Sequence, residues 1–138
     1  MASPNGIRAW QAAIQVAVRT RALVAKLPRT GYAEMRDQMT RSSESIGNNI
    51  ADGRGSKFKL DYIKFLNTAV MSATELGSQL TTLMEYDVVP NREVFNLRET
   101  TACVGKMIES LRDTEQANYD AEQARLRATR RRERRGGD

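Results

Sequence analysis

The sequence predicts an all-α fold, an antiparallel up-down-up-down four-helix bundle with an extended basic C-terminal helix. Three observations predict it. Apolar residues recur at three- and four-residue steps in four separate segments, the period of a helix that buries one face. Aromatic residues make up only 6% of the 138 positions, with nine Gly and three Pro, too few turn-formers and β-formers for a sandwich or barrel. The breaks between the segments are short, which favours antiparallel neighbours.

The first helix is expected from about Gly6 to Leu27, with Trp10, Ala13, Ile14, Ala17, Val18, Val24 and Leu27 on one face and Arg8, Arg19 and Lys26 on the other. Asn5 is placed to cap its start, and Pro28 disfavours helical geometry at Leu27 and ends it. The second runs from Tyr32 to about Ile50, with Met35, Met39, Ser42 or Ser43, Ile46 and Ile50 inward. Gly47 lowers its propensity by about 1 kcal/mol relative to Ala, and Gly53 and Gly55 break it.

Ser56 is placed to cap a third helix through Tyr86. Phe58, Tyr62, Phe65, Leu66, Ala69, Ala73, Leu76, Leu80, Leu83 and Met84 give it the longest clean periodicity in the chain. After the corner Val88-Val89-Pro90-Asn91, Asn91 caps the fourth helix and Glu93 suits its positive first turn. Val94, Leu97, Val104, Ile108 and Leu111 form its stripe. Beyond Asp113 the stripe fades into Ala, Glu, Gln and Arg, leaving Tyr119 and Leu126. The expected organisation is therefore a bundle over residues 1–112 and a helical arginine-rich extension over 113–138, fraying near Gly136-Gly137.

Charge is distributed unevenly. The net value of +5 divides into seven Lys/Arg against two acids over residues 1–43, balance over 44–84, four bases against nine acids over 85–124, and seven Arg against two acids over 125–138. A neutral body with a cationic end points to an acidic partner, nucleic acid being the commonest. With no His, imidazole acid–base catalysis, His-ligated metal and the bundle-type di-iron pattern cannot be assembled. The Arg-x4–6-His motif of helical ribonucleases cannot be written either, so no enzyme, no cofactor and no metal site are expected. Cys103 is the single thiol, which forbids an intramolecular disulfide, and it is expected to pack in the core or between subunits. The opening residues hold no apolar run behind a basic segment, and no stretch has the length of a membrane span, so a soluble cytoplasmic protein is expected.

Ser45-Ile46-Gly47-Asn48-Asn49-Ile50-Ala51-Asp52-Gly53 resembles the run Ser-Ile-Pro-Ser-Asn-Ile-Ala-Glu-Gly, followed here by Asp61-Tyr62-Ile63-Lys64-Phe65-Leu66 and by Ala73-Thr74-Glu75-Leu76-Gly77-Ser78-Gln79-Leu80. Ala9-Trp10-Gln11-Ala12-Ala13 resembles a Val-Trp-Gln-Lys-Ala opening. These runs are the signature of the four-helix-bundle proteins encoded within intervening sequences of bacterial large-subunit ribosomal RNA genes. The accessory variability determinants of diversity-generating retroelements share their fold. The resemblance spans roughly residues 7–112, with Gly47 where the family carries Pro and with the arginine-rich extension outside the signature. It implies a homo-oligomer, typically a pentamer. In the retroelement branch it implies a basic scaffold that binds RNA or DNA and a reverse transcriptase. In the ribosomal branch a protein–protein interaction module is the alternative.

The candidate nucleic-acid-binding residues fall in two groups. Arg125, Arg127, Arg130, Arg131, Arg132, Arg134 and Arg135 crowd the extension, where each guanidinium can fork two hydrogen bonds to a phosphate. The same residues also fit a solvated, solubilising end. Arg19, Arg21, Lys26, Arg29, Arg36 and Arg41 are expected on the first two helices, either as a basic face for nucleic acid or for the acidic fourth helix of a neighbouring subunit, or as the ordinary polar side of amphipathic helices. Gly53-Arg54-Gly55-Ser56-Lys57 before a helix offers a weak phosphate signal without P-loop spacing. Asn48, Asn49, Asp52 and Glu75 read as helix-end caps and inter-helix hydrogen bonds.

Overall fold

In a computed structural model that describes residues 4–136, the chain forms α1 (Pro4–Val24), α2 (Ala33–Arg54), α3 (Lys59–Tyr86) and α4 (Asn91–Gly136). α1 packs on α2, α2 on α3 and α3 on α4, and α4 closes against α1, with no packing across either diagonal among the described residues. Consecutive helices joined by short connections and closed in this order make an antiparallel four-helix bundle. Its core is built from aliphatic side chains of all four helices, with Val16, Met39, Ile46, Ile50, Leu66, Leu76, Leu80, Leu83, Val94, Leu97 and Ile108 fully buried.

The expected stripes of α2 and α4 are the ones that are buried, save half-buried Met35, and the α3 stripe is buried from Tyr62 to Leu83, save half-buried Phe65. α1 differs. Its core face is Ala9, Ala13, Val16, Thr20, Leu23 and Val24, whereas Trp10 is 39% exposed and Val18 58% exposed. The helix carries two apolar stripes about 130° apart around its axis, and the bulkiest side chain lies on the outer one. The small residues of the inner stripe are the ones that let α1 approach its neighbours closely. Thr20 and Thr101 sit in the core without a cross-helix partner. Each hydroxyl donates to the carbonyl four residues back, Val16 and Leu97 respectively, at 2.7 Å, which satisfies the buried group inside its own helix.

Helix ends also depart from the expected caps. Asn5 lies within the first turn of α1 rather than before it. The N-cap of α3 is Phe58, with no side-chain cap, and the Ser56 hydroxyl instead donates back to the Asp52 carbonyl at 3.0 Å. The Pro90 carbonyl accepts the opening bonds of α4 from Glu93 and Val94, so Asn91 is the first residue inside that helix. α1 ends at Val24 rather than Leu27, where Arg36 donates to the carbonyls of Val24 (3.4 Å) and Pro28 (3.2 Å). Asn49 donates to the carbonyl and hydroxyl of Ser45 within α2, and the link to α3 is the Ser45–Ser72 hydroxyl pair at 2.8 Å. Asn48, Asp52 and Glu75 are exposed and bridge no helices among the described residues. Gly136 closes α4, and the fraying expected at Gly137 lies outside the described residues.

α2 runs through Gly53 to Arg54 because Gly53 is needed for close approach, not for a break. A Cβ there would stand 2.7 Å from Tyr62 Cδ1 and 3.0 Å from Phe65 Cβ. Gly77 in α3 has no atom within 4 Å of such a Cβ. Gly53→Ala is therefore expected to lose about 1–3 kcal/mol through overpacking, whereas Gly77→Ala gains up to about 1 kcal/mol from helix propensity. Urea unfolding of the two variants checks the opposite signs.

Candidate nucleic-acid interface

α4 is 46 residues long, about 69 Å at the usual rise per residue. Its buried positions run Val94, Leu97, Thr101, Val104, Ile108, Leu111 and Glu115, and then stop. From residue 124 to the end of the helix every side chain is exposed. Arg125, Arg127, Arg130, Arg131, Arg132, Arg134 and Arg135 all lie on this segment, and none makes a hydrogen bond or ion pair through its side chain among the described residues. They occupy about 15 Å of axis and point to nearly all sides of it. A double helix carries one phosphate charge per about 1.7 Å, so the cationic density of this rod approaches the anionic density of a nucleic-acid duplex.

The six basic residues expected on the first two helices are not gathered on one face, and Lys26 and Arg29 lie in the connection between α1 and α2 rather than on either helix. The Lys26 ammonium donates to both carboxylate oxygens of Glu93, at 2.6 and 2.7 Å, and the Arg19 guanidinium donates to the Thr100 hydroxyl at 2.9 Å, so both lie against α4 of the same chain. Arg21 pairs with Glu44 of α2 at 3.0 Å. Arg36 serves the C-terminus of α1. Only Arg29 and Arg41 stand exposed without a partner among the described residues. The acidic fourth helix is thus met within the chain at Lys26–Glu93. Such half-exposed pairs contribute only about 0.2–1 kcal/mol, but they neutralise the charge that a phosphate would need.

At the end of the bundle where α4 leaves it, the α2–α3 turn supplies a cluster of which sequence periodicity assigns Phe58 and Tyr62 to the core. Arg54, Lys57, Phe58, Lys59 and Tyr62 line a cavity of about 520 Å³ together with Thr114, Glu115 and Asn118 of α4. Phe58 is 63% exposed, with the Lys57 ammonium 5.9 Å from its ring centre. Lys59 Nζ lies 3.8 Å from Glu115 Oε2. The first turn of α1 closes over this corner at Gly6, where a Cβ would collide with the Arg54 guanidinium and lie 2.9 Å from the Tyr62 hydroxyl. Burial pushes the Tyr62 phenol above its ordinary pKa and Glu115 adds to the rise, while the neighbouring Arg54 opposes it. The Gly53–Lys57 run was the sequence signal for this place; Phe58 was hidden because it falls in register with the buried α3 stripe.

Cys103 is exposed on α4 rather than buried. Among the described residues no three His, Cys, Asp or Glu side chains gather as a metal-binding group, and no helix is long and apolar enough to cross a membrane. The fold and this surface together define a four-helix-bundle protein with a cationic helix projecting from one end. The comparisons agree with the bundle: residues 5–110, which stop short of the arginine segment, match the 23S rRNA-intervening sequence protein family, and the chain belongs to it. A solved structure from Bacteroides thetaiotaomicron, a protein of unknown function of the S23 ribosomal protein family, is similar in fold. The two share 24% identity over 75% of this chain and 96% of that one, with a TM-score of 0.70. No curated protein matches the chain.

The Tyr62 phenol keeps its proton to higher pH in the folded protein than in the unfolded chain, whose tyrosines ionise near pH 10. Stability is therefore expected to fall as pH rises from about 10 toward the ionisation of Tyr62 in the fold. Tyr62→Phe removes this part of the slope, which urea unfolding of both proteins below and above pH 10 measures.

Proposed function

We propose that this protein is a non-enzymatic, oligomeric nucleic-acid-binding accessory protein, and that its projecting α4 arginines carry the binding. The observation that supports this reading is the set of seven exposed guanidiniums without an internal acidic partner among the described residues. An internal ion pair would have neutralised them, as Glu93 does Lys26. Arg127 and Arg131, Arg130 and Arg134, and Arg131 and Arg135 are four residues apart on the helix, where like charges repel. Phosphates relieve that repulsion, so the charge arrangement favours a polyanion-bound state. The contacts are to backbone phosphate, which gives affinity without base readout.

The protein partner in this reading is a reverse transcriptase of a diversity-generating retroelement, a role that comes from the fold this family shares with retroelement accessory proteins. A neighbouring reverse-transcriptase gene, and co-purification of the two proteins after nuclease treatment, test that part. Electrophoretic or anisotropy titrations test the nucleic-acid part. Replacing all seven arginines by Gln is expected to weaken RNA and DNA binding by orders of magnitude at low salt. It also flattens the salt dependence by up to about six logarithmic units of slope. Equal affinity and equal slope for the two proteins would overturn the reading.

Self-association rests on a separate observation. Ile7 (46% exposed), Trp10 (39%) and Val18 (58%) form one outer stripe of α1 with half-buried Ile14 between them. A helix that shows a second apolar stripe to solvent is suited to packing against another copy. Val18→Glu is expected to shift the assembly, a pentamer by family resemblance, toward monomer in light scattering while leaving the helical content unchanged.

A further inference from the structure

The cavity at the root of the α4 extension is chemically different from the arginine rod above it. The rod has cations and no aromatic side chain from Arg125 onward. The cavity has an aromatic ring held in water, flanked in sequence by two lysines, and a carboxylate in its wall. We propose that this cavity receives an unpaired base of a single-stranded nucleic acid, stacked on Phe58, with the flanking phosphates on Lys57 and Lys59. This rests on the reading of the protein as a nucleic-acid binder and adds to it a class of substrate and a second site.

Four features argue for a base rather than another occupant. Phe58 is 63% exposed although the α3 stripe beside it is buried, so the ring does no work in the core and gains from being covered. The Lys57 ammonium lies 5.9 Å from the ring centre, which combines a stacking surface with a cation for the neighbouring phosphate. Glu115, 9% exposed, stands in the cavity wall and is only loosely paired with Lys59 at 3.8 Å. Its carboxylate repels a phosphate from the interior yet accepts hydrogen bonds from the exocyclic amino group of a base. A cavity of about 520 Å³ falls in the range of small-ligand sites. Lysines on both sides of the ring disfavour an apolar protein segment, and the bases of a duplex are already stacked and cannot reach the ring.

The placement also joins the two sites. Asn118 of α4 lines the cavity, and Arg125 follows about 10 Å further along the same helix. A strand whose phosphates lie on the arginines would pass the Phe58 ring within one or two nucleotides.

Fluorescence anisotropy with a labelled single strand of about twelve nucleotides and with the same sequence as a duplex tests this in the full-length protein. Phe58→Ala is expected to weaken single-strand binding about five- to tenfold, to leave duplex binding unchanged, and to be rescued by Phe58→Trp. Since Phe58 is exposed at a helix start, circular dichroism of the variant should match the wild type. Phe58→Ala binding the single strand as well as wild type, or losing single strand and duplex equally, would overturn the inference. The sevenfold arginine variant separates the two readings. If it keeps Phe58-dependent single-strand binding, the cavity stands and the rod falls. If it loses all binding while Phe58 proves immaterial, the rod stands and the cavity falls. A wild-type protein that binds neither probe at low salt removes both.

Discussion

α4 is the element on which the rest of the molecule depends, because one unbroken helical backbone carries it from the core into solvent. Its first half is held by the burial of Val94, Leu97, Val104, Ile108 and Leu111 against the other three helices. From residue 124 it has no packing of its own, yet its direction is dictated by the part before it, since a helix without Pro or Gly at the exit point bends little. Apolar burial thereby sets where seven guanidiniums stand. The free energy that positions the charges comes from a different part of the same helix than the charges themselves.

A second consequence follows at the exit point. Where α4 leaves the bundle it must share the end of the molecule with the α2–α3 turn and with the first turn of α1. Gly53 lets Tyr62 and Phe65 close on α2, and Gly6 makes room for Arg54 and the Tyr62 hydroxyl. Small residues at these two positions let three helix ends meet around Tyr62 and Glu115 rather than leave a wide gap. The corner that results mixes burial and charge: burial raises the Tyr62 pKa against the opposing Arg54 guanidinium, and Glu115 adds to the rise.

The electrostatic pattern along the chain acquires a different meaning in three dimensions. Positive residues in and just after α1 and acidic residues of α2 and α4 are far apart in sequence but adjacent in the bundle, so Arg21 meets Glu44 and Lys26 meets Glu93. Toward the end of the bundle opposite the α4 extension, Arg21 and Lys26 are thus paired within the chain. Charge on the extension is not, since no neighbouring helix reaches it.

Much of this protein was legible in its residues alone. The three- and four-residue spacing of apolar side chains determined that there are four helices and which faces of α2, α3 and α4 are buried, because periodicity is a local property of the chain. The fading of the α4 stripe beyond Asp113 and the arginines beyond it were readable for the same reason. Tertiary structure decided what periodicity leaves degenerate. It chose the small-residue stripe of α1 over the one bearing Trp10, because close approach of neighbouring helices rewards Ala over bulk. It placed Phe58 outside α3, where the chain is still extended at φ −115° and ψ 140°. And it sorted cations into those that face a carboxylate and those that face water, since pairing depends on which helices are neighbours in space.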